Sequence, residues 1–380
     1  MPEQSKFRFG TLAVHAGQEP EPTTGAIMTP IFQTSTYVQP AVAEPKLGYD
    51  YARVANPTTR TLERNIATLE GGKHGIAFSS GLAAIEAVVK RLSAGDHVVS
   101  EENTYGGTTR MFTRVLAKLG IEFSFVNTSD PEAVRKAVEK GKTKILHVET
   151  PTNPMMRLCD IRAMSDIAHE ADAILMVDNT FASPYNQRPF EAGADVIMHS
   201  TTKYLNGHSD VIAGALITAH QDDWWRRIRY VRSSLGAMLG PFEAWLLLRG
   251  IRTLNVRVEA SSRTALHLAT QLQAHRGVIE VLYPGLANRP GHDVALRQME
   301  GGFGGMLSIR VAGGADAAIR VAGRLKVWKR ATSLGGVESL VEHRASVEGP
   351  GSPCPPDLLR LSVGLEAVSD LLADLEQALA

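Results

Sequence analysis

Four residue types able to do chemistry follow four predicted strands of the chain. Lys203 comes directly after the apolar segment ADVIMHS, and Asp178 lies near the end of AILMVDNT. Gly81 and Leu82 open a predicted helix after HGIAFSS, and Tyr105 follows DHVVSE. Ligands of open α/β sheets bind beyond the carboxyl ends of the strands, so we expect these residues to face one common cleft.

The lysine and the aspartate suit chemistry on a pyridine ring that carries an aldehyde. A lysine amine forms a Schiff base with an aldehyde, and partial burial lowers its pKa so that the free amine also acts as a base. A carboxylate such as that of Asp178 keeps a pyridine nitrogen protonated, so that the ring accepts electrons from a substrate. Each residue also has a plainer interpretation, because most lysines are solvent-exposed and a strand-end aspartate often caps the next segment.

The remaining positions suit a phosphate group and a planar ring. The first amides of a helix lack internal partners and face an anion, and glycine lets a phosphate approach the backbone. Ser200 and Thr202, close to Lys203, add hydroxyl donors, and Tyr105 can stack on a planar cofactor. A serine-glycine helix start is common, and a tyrosine is equally often a core or surface residue. Together, however, the strand ends favour a site for pyridoxal 5′-phosphate (PLP).

The elements that must position these residues follow an alternating pattern. Between residues 56 and 200, apolar strands of five to seven residues alternate with helices of ten or more, which predicts a parallel sheet covered by helices on both faces. We predict an N-terminal arm (residues 1–49), a large PLP-binding domain (50–250) and a smaller C-terminal α/β domain (251–380). A long helix predicted over residues 252–275 leads into the C-terminal domain.

Composition limits the classes of binding partner and the cellular compartment that we expect. The chain has 380 residues, with 40 Lys and Arg balanced by 40 Asp and Glu, which argues against nucleic acid or a membrane as partner. Two cysteines, Cys159 and Cys354, fit a reducing compartment, and MPEQSKFRFG has no secretory apolar segment. We therefore expect a cytoplasmic protein. His199 and His208 flank Lys203 without metal-ligand spacing, so we expect no metal site.

A series of motifs along nearly the whole chain resembles the Cys/Met-metabolism PLP-dependent enzymes. This family includes cystathionine γ-synthase, cystathionine γ-lyase, methionine γ-lyase and O-acetylhomoserine sulfhydrylase. The matching motifs are TLAVHAGQ, PIFQTSTY, YARVANPTTRTLE, SSGLAA, ENTYGGT, ETPTNP, VDNTF, HSTTKYLNGHSD, SLGGVESL and LLRLSVGLE. The resemblance implies the fold type I of PLP-dependent transferases, which is aspartate-aminotransferase-like, with a large parallel-type sheet domain and a smaller C-terminal α/β domain. It also implies a homotetramer built as a pair of dimers.

The resemblance assigns the cofactor-binding residues one by one. Lys203 is similar to the Schiff-base lysine, Asp178 to the partner of the pyridinium nitrogen, and Tyr105 to the tyrosine that stacks on the ring. Lys203 and Tyr105 are thereby implied to be catalytic, since Tyr105 can protonate the leaving group. Phosphate ligands are implied at Gly81, Leu82, Ser200 and Thr202. Tyr51 and Arg53 match a pair that reaches the phosphate of a neighbouring subunit, which implies active sites shared between subunits.

The substrate-binding residues follow from the same resemblance. Arg360 matches the arginine that grips the substrate α-carboxylate, which suits its bidentate guanidinium. Asn153 matches a residue near the cofactor and the substrate, and Ser333 opens SLGGVESL beside the substrate. Arg110 matches an arginine near the distal carboxylate of cystathionine. The substrate class implied is a small amino acid.

Departures from the family pattern bear on substrate choice. Thr332 stands where cystathionine enzymes usually carry glutamate, and Gly107 stands where methionine γ-lyases typically carry cysteine. The usual HPASMTH is here HRASVEG, with Arg344 for proline and a shortened loop after it. We expect γ-elimination or γ-replacement on sulfur amino acids or O-acylhomoserine, of the cystathionine γ-synthase or γ-lyase kind. Methionine γ-lyase or O-acetylhomoserine sulfhydrylase activity is the alternative. A PLP aminotransferase and a non-enzymatic protein of this fold are more distant alternatives.

Overall fold

Two β-sheets organise the chain in a computed structural model that describes residues 7–220, 222–349 and 354–380. The larger sheet has seven strands in the order β1-β7-β6-β5-β4-β2-β3. Its strands are β1 (His74–Phe78), β2 (His97–Glu101), β3 (Glu122–Val126), β4 (Thr143–Glu149), β5 (Ile174–Asp178), β6 (Val196–His199) and β7 (Gly214–Thr218). The first six match the predicted strands, whereas the sequence pattern did not indicate β7.

One strand makes this sheet mixed rather than parallel. Neighbouring strands from β2 to β6 pair in parallel, but β7 runs antiparallel to both β6 and β1. The prediction of a parallel sheet was wrong for β7. Parallel neighbours need a crossover, usually a helix, whereas residues 200–213 form the turns that carry Lys203 and lead straight into β7. The carboxyl end of β1 nevertheless lies at the same edge as those of β2 to β6.

Fourteen α-helices lie in the described part of the chain. They are α1 (Phe9–His15), α2 (Pro57–Leu69), α3 (Gly81–Val89), α4 (Gly106–Arg114), α5 (Pro131–Ala137), α6 (Ile161–Glu170), α7 (Ser183–Asn186), α8 (Asp223–Leu235), α9 (Pro241–Ile251), α10 (Leu254–Leu272), α11 (His292–Gln298), α12 (Gly314–Arg324), α13 (Arg344–Glu348) and α14 (Val368–Leu379). Polar side chains at the N-terminal caps explain where several of these helices begin. Asn56 accepts hydrogen bonds from the amides of Thr58 and Thr59, and Pro57 occupies the first turn of α2.

The smaller sheet lies C-terminal to the larger one. Its strand order is β10-β11-β12-β9-β8, formed by β8 (Val278–Leu282), β9 (Met306–Val311), β10 (Lys329–Arg330), β11 (Leu340–His343) and β12 (Leu358–Ser362). Strands β8 and β9 match the strands expected from VIEVLYP and GMLSIRV, and β10 to β12 complete the sheet. Each sheet lies wholly on one side of residue 250, although the domain division there remains a prediction.

Successive side chains along the strands point to opposite faces of the larger sheet, and both faces are packed with apolar residues. Leu175 and Val177 of β5 join the apolar cluster that includes Met164 of α6. Met176, between them, joins the opposite cluster with Val88 of α3. Because both faces are covered by helices, polar side chains of these strands reach open space mainly at the strand ends.

The N-terminal region is only partly an extended arm. Helix α1 packs on α2 and α10 of the same chain, and its Ala13 is fully buried. Farther along the arm, Val38 and Val42 are more than 90% exposed, at 91% and 96%. A surface loop was also predicted over residues 349–356, of which 350–353 lie outside the described residues.

The packing of β7 on the start of α3 gives a test of the fold. A side chain at Gly214 would overlap the carbonyl oxygen of Ser80, so Gly214→Ala is expected to lower the free energy of unfolding by about 1–3 kcal/mol. Gly323→Ala is the matched control, because Gly323 lies in α12 with open space around it. That change is expected to stabilise by about 0.5–1 kcal/mol. Urea unfolding measures both, and equal stability of Gly214→Ala and wild type would contradict the packing.

Candidate active site

A cleft of about 910 Å³ opens at the carboxyl edge of the larger sheet, where residues of the smaller sheet close one side. Most of the predicted site residues line it together. They are Gly81, Leu82, Tyr105, Arg110, Asn153, Asp178, Ser200, Thr202, Lys203, Ser333 and Arg360. The convergence expected from the strand ends is therefore present in the structure.

Lys203 lies in a tight turn that follows β6. The amide of Lys203 donates to the carbonyl of Ser200, and the amide of Gly207 donates to the carbonyl of Lys203. Gly207 has a φ of +73° and packs against Arg257, where a side chain would not fit. The Lys203 amine donates to the Ser333 hydroxyl over 2.9 Å. Burial, followed by the charge of Arg360, lowers the pKa of Lys203 to about 8.

Asp178 ends β5 beside a second carboxyl group, that of Glu149. The amide of Thr180 donates to Asp178 over 3.0 Å, and Glu149 and Asp178 lie opposite each other in the β4–β5 register. Burial raises the pKa of Asp178, while the charges of His199 and Lys203 oppose the shift. Burial and the charge of Asp178 raise the pKa of Glu149 to about 8. Burial and the neighbouring carboxylate therefore favour the protonated form of Glu149.

Glu149 is a site residue that the sequence analysis missed. It accepts hydrogen bonds from the Tyr105 amide (2.9 Å), the Thr104 hydroxyl (3.0 Å) and the Asn153 amide (3.1 Å). It thus holds two predicted site residues through their backbone. The available signal was its place at the end of a buried strand, the same signal that marked Asp178.

The start of α3 faces the cleft with free amides. The Ser80 hydroxyl accepts from the amide of Ala83 over 3.1 Å, which leaves the earlier amides of Gly81 and Leu82 without intrahelical partners. A side chain at Gly81 would lie 2.9 Å from Met198 and 3.0 Å from Ser200. Glycine therefore lets the loop after β6 approach this helix start.

The Tyr105 ring lies at the start of α4, half exposed to the cleft. A side chain at Gly107 would overlap this ring, so glycine at this position makes room for the ring.

Thr202, the residue before Lys203, is held by Ala213, which immediately precedes β7. The Thr202 hydroxyl accepts a hydrogen bond from the Ala213 amide (3.0 Å) and donates one to the Ala213 carbonyl (3.1 Å).

Arg360 of β12 presents a buried guanidinium to the cleft. Its Nη1 donates to Asn153 Oδ1 (3.1 Å), and its Nη2 donates to the Ser333 carbonyl (2.7 Å) and pairs with Glu342 (2.6 Å). Its Nε is buried without a partner among the described residues. Burial lowers the pKa of Arg360, and the charge of Glu342 opposes that shift. A buried donor left unpaired is costly, so this guanidinium suits an anion.

Two predicted site residues lie outside this cleft. The Arg53 guanidinium donates to the carbonyl of Ser233 over 2.9 Å. It also lies 5.4 Å from the centre of the Tyr51 ring, and Tyr51 is 42% exposed. Within one chain, this pair is therefore separate from the residues around Lys203.

No group of three or more His, Cys, Asp or Glu residues able to hold a metal ion occurs in the described ranges. Across the same residues, none of the helices combines the length and apolarity that crossing a membrane requires.

Comparison with known proteins agrees with the geometry. The sequence profile of the Cys/Met metabolism PLP-dependent enzymes matches residues 10–380. The chain is 44% identical over 375 residues to the cystathionine gamma-synthase of Mycobacterium tuberculosis (97% of this chain, 96% of that protein). It is 45% identical over 377 residues to the cystathionine gamma-lyase of Bacillus subtilis (97% and 98%).

A solved structure extends the agreement to the fold. The crystal structure of metB from Corynebacterium glutamicum superposes with a TM-score of 0.97 at 44% identity, over 99% of each chain. The fold class inferred from the sequence motifs is thereby confirmed, with the mixed sheet described above. The chain belongs to the Cys/Met metabolism PLP-dependent enzymes and is a PLP-dependent enzyme acting on sulfur amino acids.

Proposed function

We propose that the protein makes or breaks the bond between Cγ and its substituent in homoserine-derived amino acids, as a cystathionine γ-synthase or γ-lyase does. One observation carries the proposal: the Lys203 amine, the Asp178 carboxylate and the Arg360 guanidinium face the same cleft. The names of the relatives support this choice. Methionine γ-lyase and sulfhydrylase activities are not favoured.

The residues of the cleft fit PLP as the cofactor. The unpaired amides at the start of α3 and the Ser200 hydroxyl suit its phosphate, and the charge of Asp178 suits its ring nitrogen. Lys203 suits its aldehyde, and the Tyr105 ring suits its planar face. When bound, PLP supplies an electron-accepting ring that stabilises negative charge developing at the substrate Cα.

The chain's own residues supply binding and proton transfer. Arg360, with its unpaired Nε, binds the substrate α-carboxylate, and Asn153 orients that guanidinium through the 3.1 Å hydrogen bond. The Lys203 amine, with a pKa of about 8, removes the substrate Cα proton and then a Cβ proton, and loss of the Cβ proton expels the Cγ substituent. The Ser333 hydroxyl holds this amine over 2.9 Å. The Tyr105 hydroxyl donates a proton to the leaving group.

The same proposal includes a shared active site in a homotetramer. Tyr51 and Arg53 lie outside the cleft of their own chain, which fits a role at the phosphate of a neighbouring subunit. The exposed valines of the N-terminal arm, Val38 and Val42, are apolar surface of the kind that packs against another copy. A cytoplasmic location is part of the proposal, and it is supported by the low number of cysteines, which are only Cys159 and Cys354.

A panel of substrates tests the reaction. Cystathionine alone is expected to give a 2-oxo acid, ammonia and cysteine, or O-acylhomoserine with cysteine is expected to give cystathionine. Methionine alone is expected to react at least about tenfold more slowly, because it lacks the distal groups of cystathionine. Product analysis by mass spectrometry reads each reaction. Preferred turnover of methionine, or amino transfer to a 2-oxo acid without release of ammonia, would contradict the proposal.

The pKa of Lys203 gives a second test on cofactor-free protein. Only the neutral amine is nucleophilic, so its reductive methylation should speed up as the pH rises and level off above about pH 8. Peptide mass spectrometry follows Lys203, with the exposed Lys118 in the same sample as the internal reference. Arg360→Gln is expected to move the midpoint for Lys203 upward, because a cation that lowers its pKa is lost. Identical profiles for Lys203 and Lys118 would contradict the assignment.

A further inference from the structure

Arg360, to which the proposed function assigns the substrate α-carboxylate, already pairs with a carboxylate of its own chain. Glu342 of β11 pairs with Arg360 Nη2 over 2.6 Å, and the two residues lie directly opposite each other in the register of β11 and β12. Both side chains are only 3% exposed. The guanidinium therefore has a buried counter-charge before any substrate binds.

Glu342 lies behind Arg360 as seen from the cleft. Arg360 lines the cleft, whereas Glu342 is not among the described residues that do so. The Nε of Arg360 is the donor left without a partner, so it is free to bind the substrate. With a substrate carboxylate at Nε and Glu342 at Nη2, two anions would share one guanidinium.

Other groups already orient the Arg360 guanidinium. Its Nη1 donates to Asn153 Oδ1 over 3.1 Å, and its Nη2 donates to the Ser333 carbonyl over 2.7 Å. Both acceptors are uncharged, and together they hold the planar group at its two terminal nitrogens. The main contribution of Glu342 is therefore its negative charge. Charges separated by so little water act strongly on each other, so Glu342 opposes the binding of a second carboxylate.

A second guanidinium holds Glu342 from the other side. Both carboxyl oxygens of Glu342 lie 3.5 Å from Arg344 Nη1, and Arg344 also donates to Glu348 over 2.7 Å. With Arg360, these side chains form a neutral group of two guanidiniums and two carboxylates. Glu338 adds a further carboxyl group to the same cleft. A substrate carboxylate therefore enters a site whose positive charge is already balanced.

We propose that Glu342 weakens the binding of the substrate α-carboxylate to Arg360 and thereby sets the affinity of this end of the site. The inference rests on the proposed function, because it takes Arg360 as the group that binds this carboxylate. Glu342 acts through Arg360 and touches no substrate. The ligands affected are α-amino acids and the 2-oxo acids formed from them. Because the products of the proposed reaction keep the carboxylate, the same effect favours their release.

Two ligands that differ only by a carboxylate test the inference. They are L-norvaline and butylamine, which is norvaline without its carboxylate. Neither has a leaving group at Cγ, so γ-elimination does not accompany binding. Each is titrated into the PLP-loaded protein, and the change in visible absorption gives its Kd. The Kd of butylamine divided by that of L-norvaline measures the contribution of the carboxylate, because changes that affect both amines alike cancel.

Two variants are expected to change this ratio in opposite directions. Glu342→Gln keeps an oxygen acceptor for Arg360 and removes the charge, so it should raise the ratio about tenfold. Arg344→Gln removes the cation that shares Glu342, so it should lower the ratio. Glu376→Gln, an exposed change on α14, is the control and should leave the ratio unchanged. Binding of butylamine shows that each variant is folded.

The Lys203 amine gives a second measurement, on cofactor-free protein. Burial lowers the pKa of Lys203 most, the charges of Arg360 and Arg344 lower it further, and those of Glu342 and Asp178 raise it. Glu342→Gln should therefore move the midpoint of Lys203 methylation to lower pH, while an exposed lysine in the same sample keeps its midpoint. An unchanged or raised midpoint would mean that the charge of Glu342 does not act in the cleft, which overturns the inference.

The outcomes separate this inference from the proposed function. A ratio that Glu342→Gln leaves unchanged or lowers would show that Glu342 serves only packing or orientation, and the reaction class would stand. Equal Kd values of the two ligands in the wild-type protein, or failure of L-norvaline to bind, would overturn both proposals, because Arg360 would then not bind the α-carboxylate.

Discussion

A lysine amine and a carboxylate withdrawn from water in the same cleft are the constraint on which the structure depends. Burial favours the neutral form of each, which raises the pKa of Asp178 and lowers that of Lys203. Their opposite charges partly offset this cost, because each ionised group stabilises the other. The arrangement requires β5 and β6 to be parallel neighbours, so that both residues emerge at one edge. Helices on both faces exclude water elsewhere.

The smaller sheet completes the site with a second set of buried charges. Arg360 of β12 and Glu342 of β11 are cross-strand neighbours, which fixes their ion pair by strand register. Arg360 then reaches Asn153 after β4, and Ser308 of β9 donates to the Pro154 carbonyl over 2.8 Å. The contact between the sheets is thus built partly from the groups that we propose to bind substrate. Ionic interactions between buried groups gain strength from the low local dielectric.

Much of the site could be predicted because its signals are local. The strand-helix alternation identified β1 to β6, and the ends of these strands located Lys203, Asp178, Gly81 and Tyr105. Strand β7 and the pairing of Glu342 with Arg360 depend on contacts between distant segments, which periodicity does not reveal. Helix α1 has only seven residues, too few to be stable alone, so it forms through packing on α2 and α10. Tyr51 and Arg53 were assigned by resemblance to a role between subunits, which a single chain does not test.

The most direct measurement of the central claim is the position of the covalent link to the cofactor. Purified protein would be loaded with PLP, reduced with borohydride, digested and mapped by mass spectrometry. The account predicts a pyridoxyl group on the peptide containing Lys203, and none on that peptide from Lys203→Ala protein. A pyridoxyl group on a different lysine in the wild-type protein, or none on any peptide, would contradict it.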